Sequence, residues 1–258
     1  MLHSRPLPAF ADNYIWLLTT DNGNAAVVDP GAAQPVFAAL AAEQLTLTAI
    51  LLTHHHHDHI GGVAQLQAAF PSVHIYAPDE PRIPQCTTRV HGGEHFQLAG
   101  LNTDFEVLAV PGHTATHVAY FSEWHLFCGD TLFAAGCGRV FDGTFAQLAT
   151  SLTHIASLPP ATQCYCAHEY TLANLGFAQW VEPHNAALAA RLNADQAQRE
   201  LKQPTVPSLL ELELATNPFL RTHEPAVIAA AERAAGQTLH SAIEVFTALR
   251  QWKDREYD

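Results

Sequence analysis

The sequence predicts an α/β domain followed by a smaller, all-helical one. Two textures of the chain carry that prediction. Up to about residue 168, short β-rich runs punctuated by Gly and Pro alternate with stretches of helical spacing. After Tyr170 the chain turns to Ala, Leu, Gln and Glu at helical spacing. Neither an internal repeat nor a flexible linker separates the two parts, so the helical part is expected to pack on the first. The domains are set at 1–168 and 169–258.

In order, strands are predicted at 25–28, 48–53, 73–77, 105–110 and 117–121, with helices at 35–43, 62–70 and 144–157 between them. In the second part, helix starts are read from Glu182-Pro183, from Ser208 followed by Glu211, and from Glu224-Pro225.

Composition narrows the function classes. A hydrophobic fraction of 48% in 258 residues is ample for a packed core and excludes disordered and fibrous readings. Twelve Lys plus Arg against 25 Asp plus Glu give a charge of -13, a field that repels nucleic acid and anionic membrane surfaces. No apolar stretch approaches the roughly 20 residues that span a bilayer. The N-terminal stretch has two prolines and an acidic residue where a secretory signal needs an unbroken apolar run. A cytoplasmic location is the expectation. Cys86, Cys128, Cys137, Cys164 and Cys166 are odd in number and widely spread, which suits reduced thiols. Core packing is the expected role of Cys164 and Cys166, which share one strand face.

The main chemical signal is histidine. Seventeen are present, and five lie within Thr53-His54-His55-His56-His57-Asp58-His59-Ile60-Gly61-Gly62. The run is internal and follows an apolar run, so it is no purification tag. In an extended chain His54, His56 and Asp58 project to one side and His55 and His57 to the other. A turn at Gly61-Gly62 then swings Asp58 and His59 away, so one loop seeds two neighbouring metal sites. These donors do not saturate two ions. Three further apolar runs end in a candidate ligand just past a strand end, at His113, Asp130 and His168. Any one of these residues read alone is an ordinary hydrogen-bonded side chain; together they make a metal centre the better reading. Nitrogen and carboxylate donors without paired Cys suit zinc, manganese or iron at a hydrolytic centre. Asp130 is the natural bridge between two cations. His117 is a candidate for orienting His113, and Asp29 is either another orienting group or a turn residue.

The pattern Thr-His-x-His-x-Asp-His resembles the signature of the metallo-β-lactamase superfamily. Pro111-Gly112-His113-Thr114, Phe127-Cys128-Gly129-Asp130-Thr131 and Ala167-His168-Glu169-Tyr170-Thr171 extend the match. The wording is similar to that of the glyoxalase II (hydroxyacylglutathione hydrolase) family. Further matches run almost end to end: the segment from Pro8 through Asn13 to Trp16, Gly136-Cys137-Gly138-Arg139, Asn217 to Arg221, and Leu249 to Asp254. The resemblance implies an αββα sandwich and two divalent cations, zinc first with iron or manganese as alternatives. It places His54, His56 and His113 on one, Asp58, His59 and His168 on the other, with Asp130 bridging. It further implies hydrolysis of S-D-lactoylglutathione to D-lactate and glutathione, the second step of methylglyoxal detoxification. Asp58 and Asp130 would orient a metal-bridging hydroxide, and a monomer with a small-molecule thioester as partner is expected. Glutathione-binding positions carry over to Arg139, Phe141, Tyr170, Arg250 and Lys253. Position 141 departs from relatives with Tyr there, so a hydroxyl contact to the peptide is expected to be missing.

Elementary chemistry is compatible with this. Glutathione's carboxylates need cations, and the chain has only two lysines, Lys202 and Lys253. Lys253 lies three residues after Arg250 on one predicted helix face, where a solvated helix end favoured by the macrodipole is the alternative. A thiolate leaving group makes a dedicated general acid dispensable, since a free thiol has a pKa of about 8.5. Cys137 is then a spectator. The rival readings are lactone or β-lactam hydrolysis, glutathione persulfide oxidation at a single iron, and a non-hydrolytic diiron redox module. His rather than Glu at position 56 weighs against the last.

Overall fold

A computed structural model describes Leu2 to Tyr257. The chain forms two compact units. The first runs to Ala109 and takes in Thr116–Gly129; the second comprises Val110–Ala115 and the chain from Asp130 onward.

The first unit begins with β1 (His3–Ala9), β2 (Asn13–Thr19) and β3 (Asn24–Val28), an antiparallel meander. β2 is the most apolar of the three and is buried on both faces apart from its last residue. Helix α1 (Ala33–Glu43) crosses over to β4 (Thr46–Leu51), which pairs parallel to β3. α1 presses Val36, Ala39 and Leu40 onto a core that includes Val27 and Ile50. It stops at Gln44, whose left-handed backbone lets its N–H bond back to Leu40 O. A single helical turn, α2 (His57–Ile60), and α3 (Val63–Ala69) lead to β5 (His74–Pro78) and β6 (Thr88–Val90), both added in parallel. A second antiparallel meander follows: β7 (His95–Leu98), β8 (Thr103–Ala109), β9 (Val118–Ser122) and β10 (His125–Gly129). Its β9 faces the first sheet, for Tyr120 donates its hydroxyl to Leu52 O at 2.8 Å. The rings of Tyr76 and Phe96 stack at 4.4 Å between the layers.

The second unit holds a short hairpin, β11 (Leu132–Phe133) and β12 (Gly136–Cys137), then α4 (Phe145–Ala156) and β13 (Gln163–Cys166). Helices α5 (Thr171–Val181) and α6 (Ala186–Glu200) follow. β14 (Ser208–Leu209) pairs antiparallel with β13 and leads into α7 (Leu210–Thr216), a 3-10 turn at Pro218–Leu220, α8 (Pro225–Ala235) and α9 (Ala242–Glu256). α4 packs on α9 within this unit, so the compact unit starts before residue 169 and takes 130–168 with the C-terminal helices. Among the described residues no helix is long and apolar enough to cross a membrane.

Sequence-predicted strands and helices agree with these bounds to within a few residues. Two helix starts differ. Glu182 ends α5 rather than starting a helix, because its carboxylate is taken by Arg221 at 2.8 and 3.0 Å; Asn185, accepting from Leu188 N, caps α6 instead. Ser208 sits in β14 and donates to Glu213 Oε1 at 2.6 Å, and α7 begins two residues later. Pro225 opens α8 as predicted.

Candidate metal centre

The loop after β4 carries the donors of the first unit. Extended backbone persists only to His56, and the helical turn of α2 then takes over. The expected alternation therefore holds for His54 and His56 but not for Asp58, which α2 delivers beside His59. His55 points elsewhere, toward the buried carboxylate of Glu80 at 3.8 Å. Gly31 makes this packing possible, since a Cβ there would lie 1.7 Å from Asp58 O.

Proton positions follow from the partners. Asp29 accepts from Thr53 N at 2.8 Å and from the Thr53 hydroxyl at 2.7 Å. Because that hydroxyl proton is spent on Asp29, the 3.0 Å contact of Thr53 Oγ1 with His54 Nδ1 is donated by the imidazole. His59 Nδ1 likewise lies 3.0 Å from Asp29 Oδ2, and a carboxylate only accepts. Both rings thus carry their proton on Nδ1 and present Nε2 as the lone-pair nitrogen, the tautomer a metal needs. His54 Nε2 faces His56 Nδ1 at 3.1 Å, and His59 Nε2 faces Asp58 Oδ2 at 3.6 Å. Asn13 donates its amide to the same Asp58 oxygen at 3.1 Å.

Asp29, His54 and His59 also bring one atom each within 4.8 Å of one another. The three bonds that Asp29 already accepts make it an orienting group, and its left-handed backbone at φ 52, with Gly31 N bonded to its carbonyl at 2.8 Å, makes it a turn residue as well, so both sequence readings hold. His117 stacks on His54 at 4.6 Å.

The second unit supplies His113, Asp130 and His168. His113 Nδ1 lies 2.8 Å from Arg139 O, which again assigns the proton to Nδ1. His113 Nε2 is 3.5 Å from Asp130 Oδ2, and His168 Nε2 is 3.5 Å from Asp130 Oδ1. One carboxylate thus turns each oxygen toward a different imidazole. A tetrahedral shell with bonds of about 2.0–2.1 Å sets its donors about 3.3 Å apart. The spacings within both donor sets fit that shell, and neutral nitrogens with carboxylates suit a divalent cation.

The expected substrate positions are in the second unit as well. Tyr170 stacks parallel on His168 at 4.7 Å. Phe141 stands edge-on to His113 at 5.2 Å and is 63% exposed, an open ring without a hydroxyl. The Arg139 side chain is half exposed, its Nε 3.8 Å from Asp254. Arg250 and Lys253 overturn the solvated-helix-end alternative, being 1% and 6% exposed. Arg250 donates to Cys137 O and to Asp254, each at 3.0 Å, over the Phe219 ring. Asp254, in the Leu249–Asp254 motif, gathers Arg139 and Arg250. Asn13 and Thr53 were likewise legible only as motif letters, since nothing local marks a side chain whose partner arrives from another loop. Burial pushes the Cys137 thiol up to about 11, consistent with a spectator.

Comparisons with known proteins decide the family. Residues 10–168 match the model of the metallo-beta-lactamase superfamily, and 169–256 match that of the hydroxyacylglutathione hydrolase C-terminus. A hydroxyacylglutathione hydrolase of Alkalilimnicola ehrlichii is 55% identical over 96% of this chain and 97% of its own length. The chain belongs to the hydroxyacylglutathione hydrolase family of the metallo-beta-lactamase superfamily. A second relative with that name, from Xanthomonas campestris pv. campestris, is 53% identical over 96% of both chains. In fold, the chain is similar to the BLEG-1 B3 metallo-beta-lactamase, with a TM-score of 0.62 and 24% identity over 85% of this chain and 99% of that one. It is also similar to TTHA1623 in a di-iron-bound form, with a TM-score of 0.54 and 28% identity over 64% and 91%. The chain therefore has the metallo-beta-lactamase fold with a helical C-terminal part, as its sequence predicts.

Proposed function

We propose that this protein hydrolyses S-D-lactoylglutathione and related 2-hydroxyacylglutathiones to the 2-hydroxy acid and glutathione, as a cytoplasmic monomer. The near-full-length likeness to proteins named hydroxyacylglutathione hydrolase carries this reading. Residues 1–168 would bear the chemistry, and 169–258, joined by Arg139 and Phe141, would bind the thioester's peptide. His54, His56 and His113 would hold one divalent cation and Asp58, His59 and His168 a second, with Asp130 shared; zinc is favoured, iron or manganese being alternatives. When bound, such cations supply a water acidified toward pH 7 and positive charge for the carbonyl oxygen.

The chain's own part is orientation. Asp29, Thr53 and the Arg139 carbonyl fix the tautomers of His59, His54 and His113. Asp58, held by the Asn13 amide beside His59, and Asp130, between His113 and His168, would orient the reacting water once the cations are bound. Arg139, Lys253 and Arg250 concentrate positive charge in a chain of net charge -13, where glutathione carboxylates otherwise meet repulsion. Tyr170 and Phe141 offer ring surface to the peptide. The glutathione thiol leaves as a thiolate with a pKa near the free-thiol value of about 8.5, so no side chain needs to donate a proton.

Turnover of S-D-lactoylglutathione, a lactone, a β-lactam and glutathione persulfide by the metal-loaded protein tests the reading. Thioester hydrolysis is expected to dominate; a preference for any other member of the panel contradicts it.

A further inference from the structure

Asn217 and Glu213 belong to neither donor set nor to the cation cluster, yet both are fully buried at the foot of the β11–β12 hairpin. Strands of two residues each cannot hold themselves in register. This hairpin also turns through Ala135 at φ 57, a left-handed conformation that alanine disfavours. Its backbone is gripped from outside. Glu213 Oε2 accepts from Ala135 N at 2.8 Å. The Asn217 amide donates to Gly136 O at 2.9 Å and to Phe133 O at 3.3 Å, and bonds Glu213 at 3.1 Å. Asn174 donates to Ala134 O at 3.0 Å from α5, so closely that a Cβ on Gly136 would lie 2.4 Å from it. Arg191 and Ser208 fix the other Glu213 oxygen, each at 2.6 Å.

What the grip holds is Phe133. Its ring stands edge-on to His168 at 5.7 Å and to Tyr170 at 5.2 Å, against the stacked pair that the proposed function assigns to a cation and to the substrate. We propose that Asn217 and Glu213 are positioning residues for thioester binding: they lock the hairpin at 132–137 so that Phe133 sets the attitude of Tyr170. This inference rests on the reading of Tyr170 as a substrate contact.

The full-length, metal-loaded enzyme with Asn217→Ala tests it. Two carbonyls of the hairpin lose a side-chain donor, so amide exchange at 132–137 is expected to accelerate by about tenfold or more. KM for S-D-lactoylglutathione is expected to rise about fivefold, with kcat within about twofold and metal content unchanged. In a Phe133→Leu background the same substitution is expected to change KM by less than about twofold, because both act through one ring. Unaltered exchange at 132–137, an unaltered KM, or a KM effect that persists in full without Phe133 overturns the inference. If Asn217→Ala does not fold, Asn174→Ala loosens the same hairpin from its other side and must give the same split between KM and kcat. Absence of thioester turnover in the wild type, seen before any variant is compared, sinks the functional reading, whereas the exchange data judge the hairpin by themselves.

Discussion

Replacing Asp29 with Asn alters one oxygen to a nitrogen and leaves the shape intact, so its effect isolates the hydrogen-bond logic of the first donor set. If Oδ1 stays an oxygen for Thr53 N, the new amide nitrogen faces the Thr53 hydroxyl and His59 Nδ1, at 2.7 and 3.0 Å in the wild type. The hydroxyl can rotate to accept. His59 cannot, and must move its proton from Nδ1 to Nε2, the nitrogen turned toward Asp58. Loss of such an orienting partner lowers metal affinity about 10- to 100-fold, or about 1.4–2.7 kcal/mol. The metal-free chain also loses the ionic character of three hydrogen bonds, at about 1 kcal/mol each, hence about 3 kcal/mol in urea unfolding. Competition with a chelating indicator measures affinity, and a urea series on the metal-free chain measures stability. An Asp29→Asn variant that binds cations as tightly as the wild type would refute the tautomer assignment for His59.

Three further outcomes are expected. Arg82 and the Thr116 hydroxyl hold the Glu80 carboxyl at about 2, below its ordinary 4.5, so its stabilisation is intact above pH 4.5 and fades as pH falls toward 2. Urea unfolding across that window is therefore expected to show a slope that Glu80→Gln flattens, and an equal slope in both proteins contradicts the assignment. Cys137→Ala in the folded, metal-loaded protein is expected to keep thioester hydrolysis, because a thiol pushed up to about 11 is not a nucleophile at neutral pH; lost turnover would make it one. Phe141→Tyr, on a ring already exposed beside His113, is expected to lower KM for the thioester about fivefold through one added hydrogen bond while leaving kcat unchanged. A kcat change with constant KM would place that ring elsewhere in the reaction.

The parts legible in the sequence were those whose signal is local. Apolar runs ending at His113, Asp130 and His168 mark strand ends because a strand must stop where its chain turns. Pro225 marks a helix start because its ring fits only the first turn. Asp58 stands beside His59 and apart from the His54–His56 pair, as the sequence predicts, but the helical turn that puts it there packs on Gly31, a contact across 27 residues that no periodicity announces. For Arg250 and Lys253 the solvated helix end stays open as an alternative in the sequence for the same reason: the Cys137 carbonyl and the Phe219 ring that receive Arg250 are remote in sequence. The grip of Glu213 and Asn217 on the hairpin joins α7 and its C-terminal cap to residues about 80 positions earlier, and only Asn217 and the Gly136 turn fall within a motif.

The most direct test is stepwise return of zinc to the metal-free protein, with bound metal per chain and S-D-lactoylglutathione hydrolysis followed together. Activity absent without metal, growing with loading, complete at about two ions per chain and lost with the second ion in Asp130→Asn is the predicted result. Full hydrolysis by the metal-free chain, or two bound ions with no thioester turnover, would contradict it.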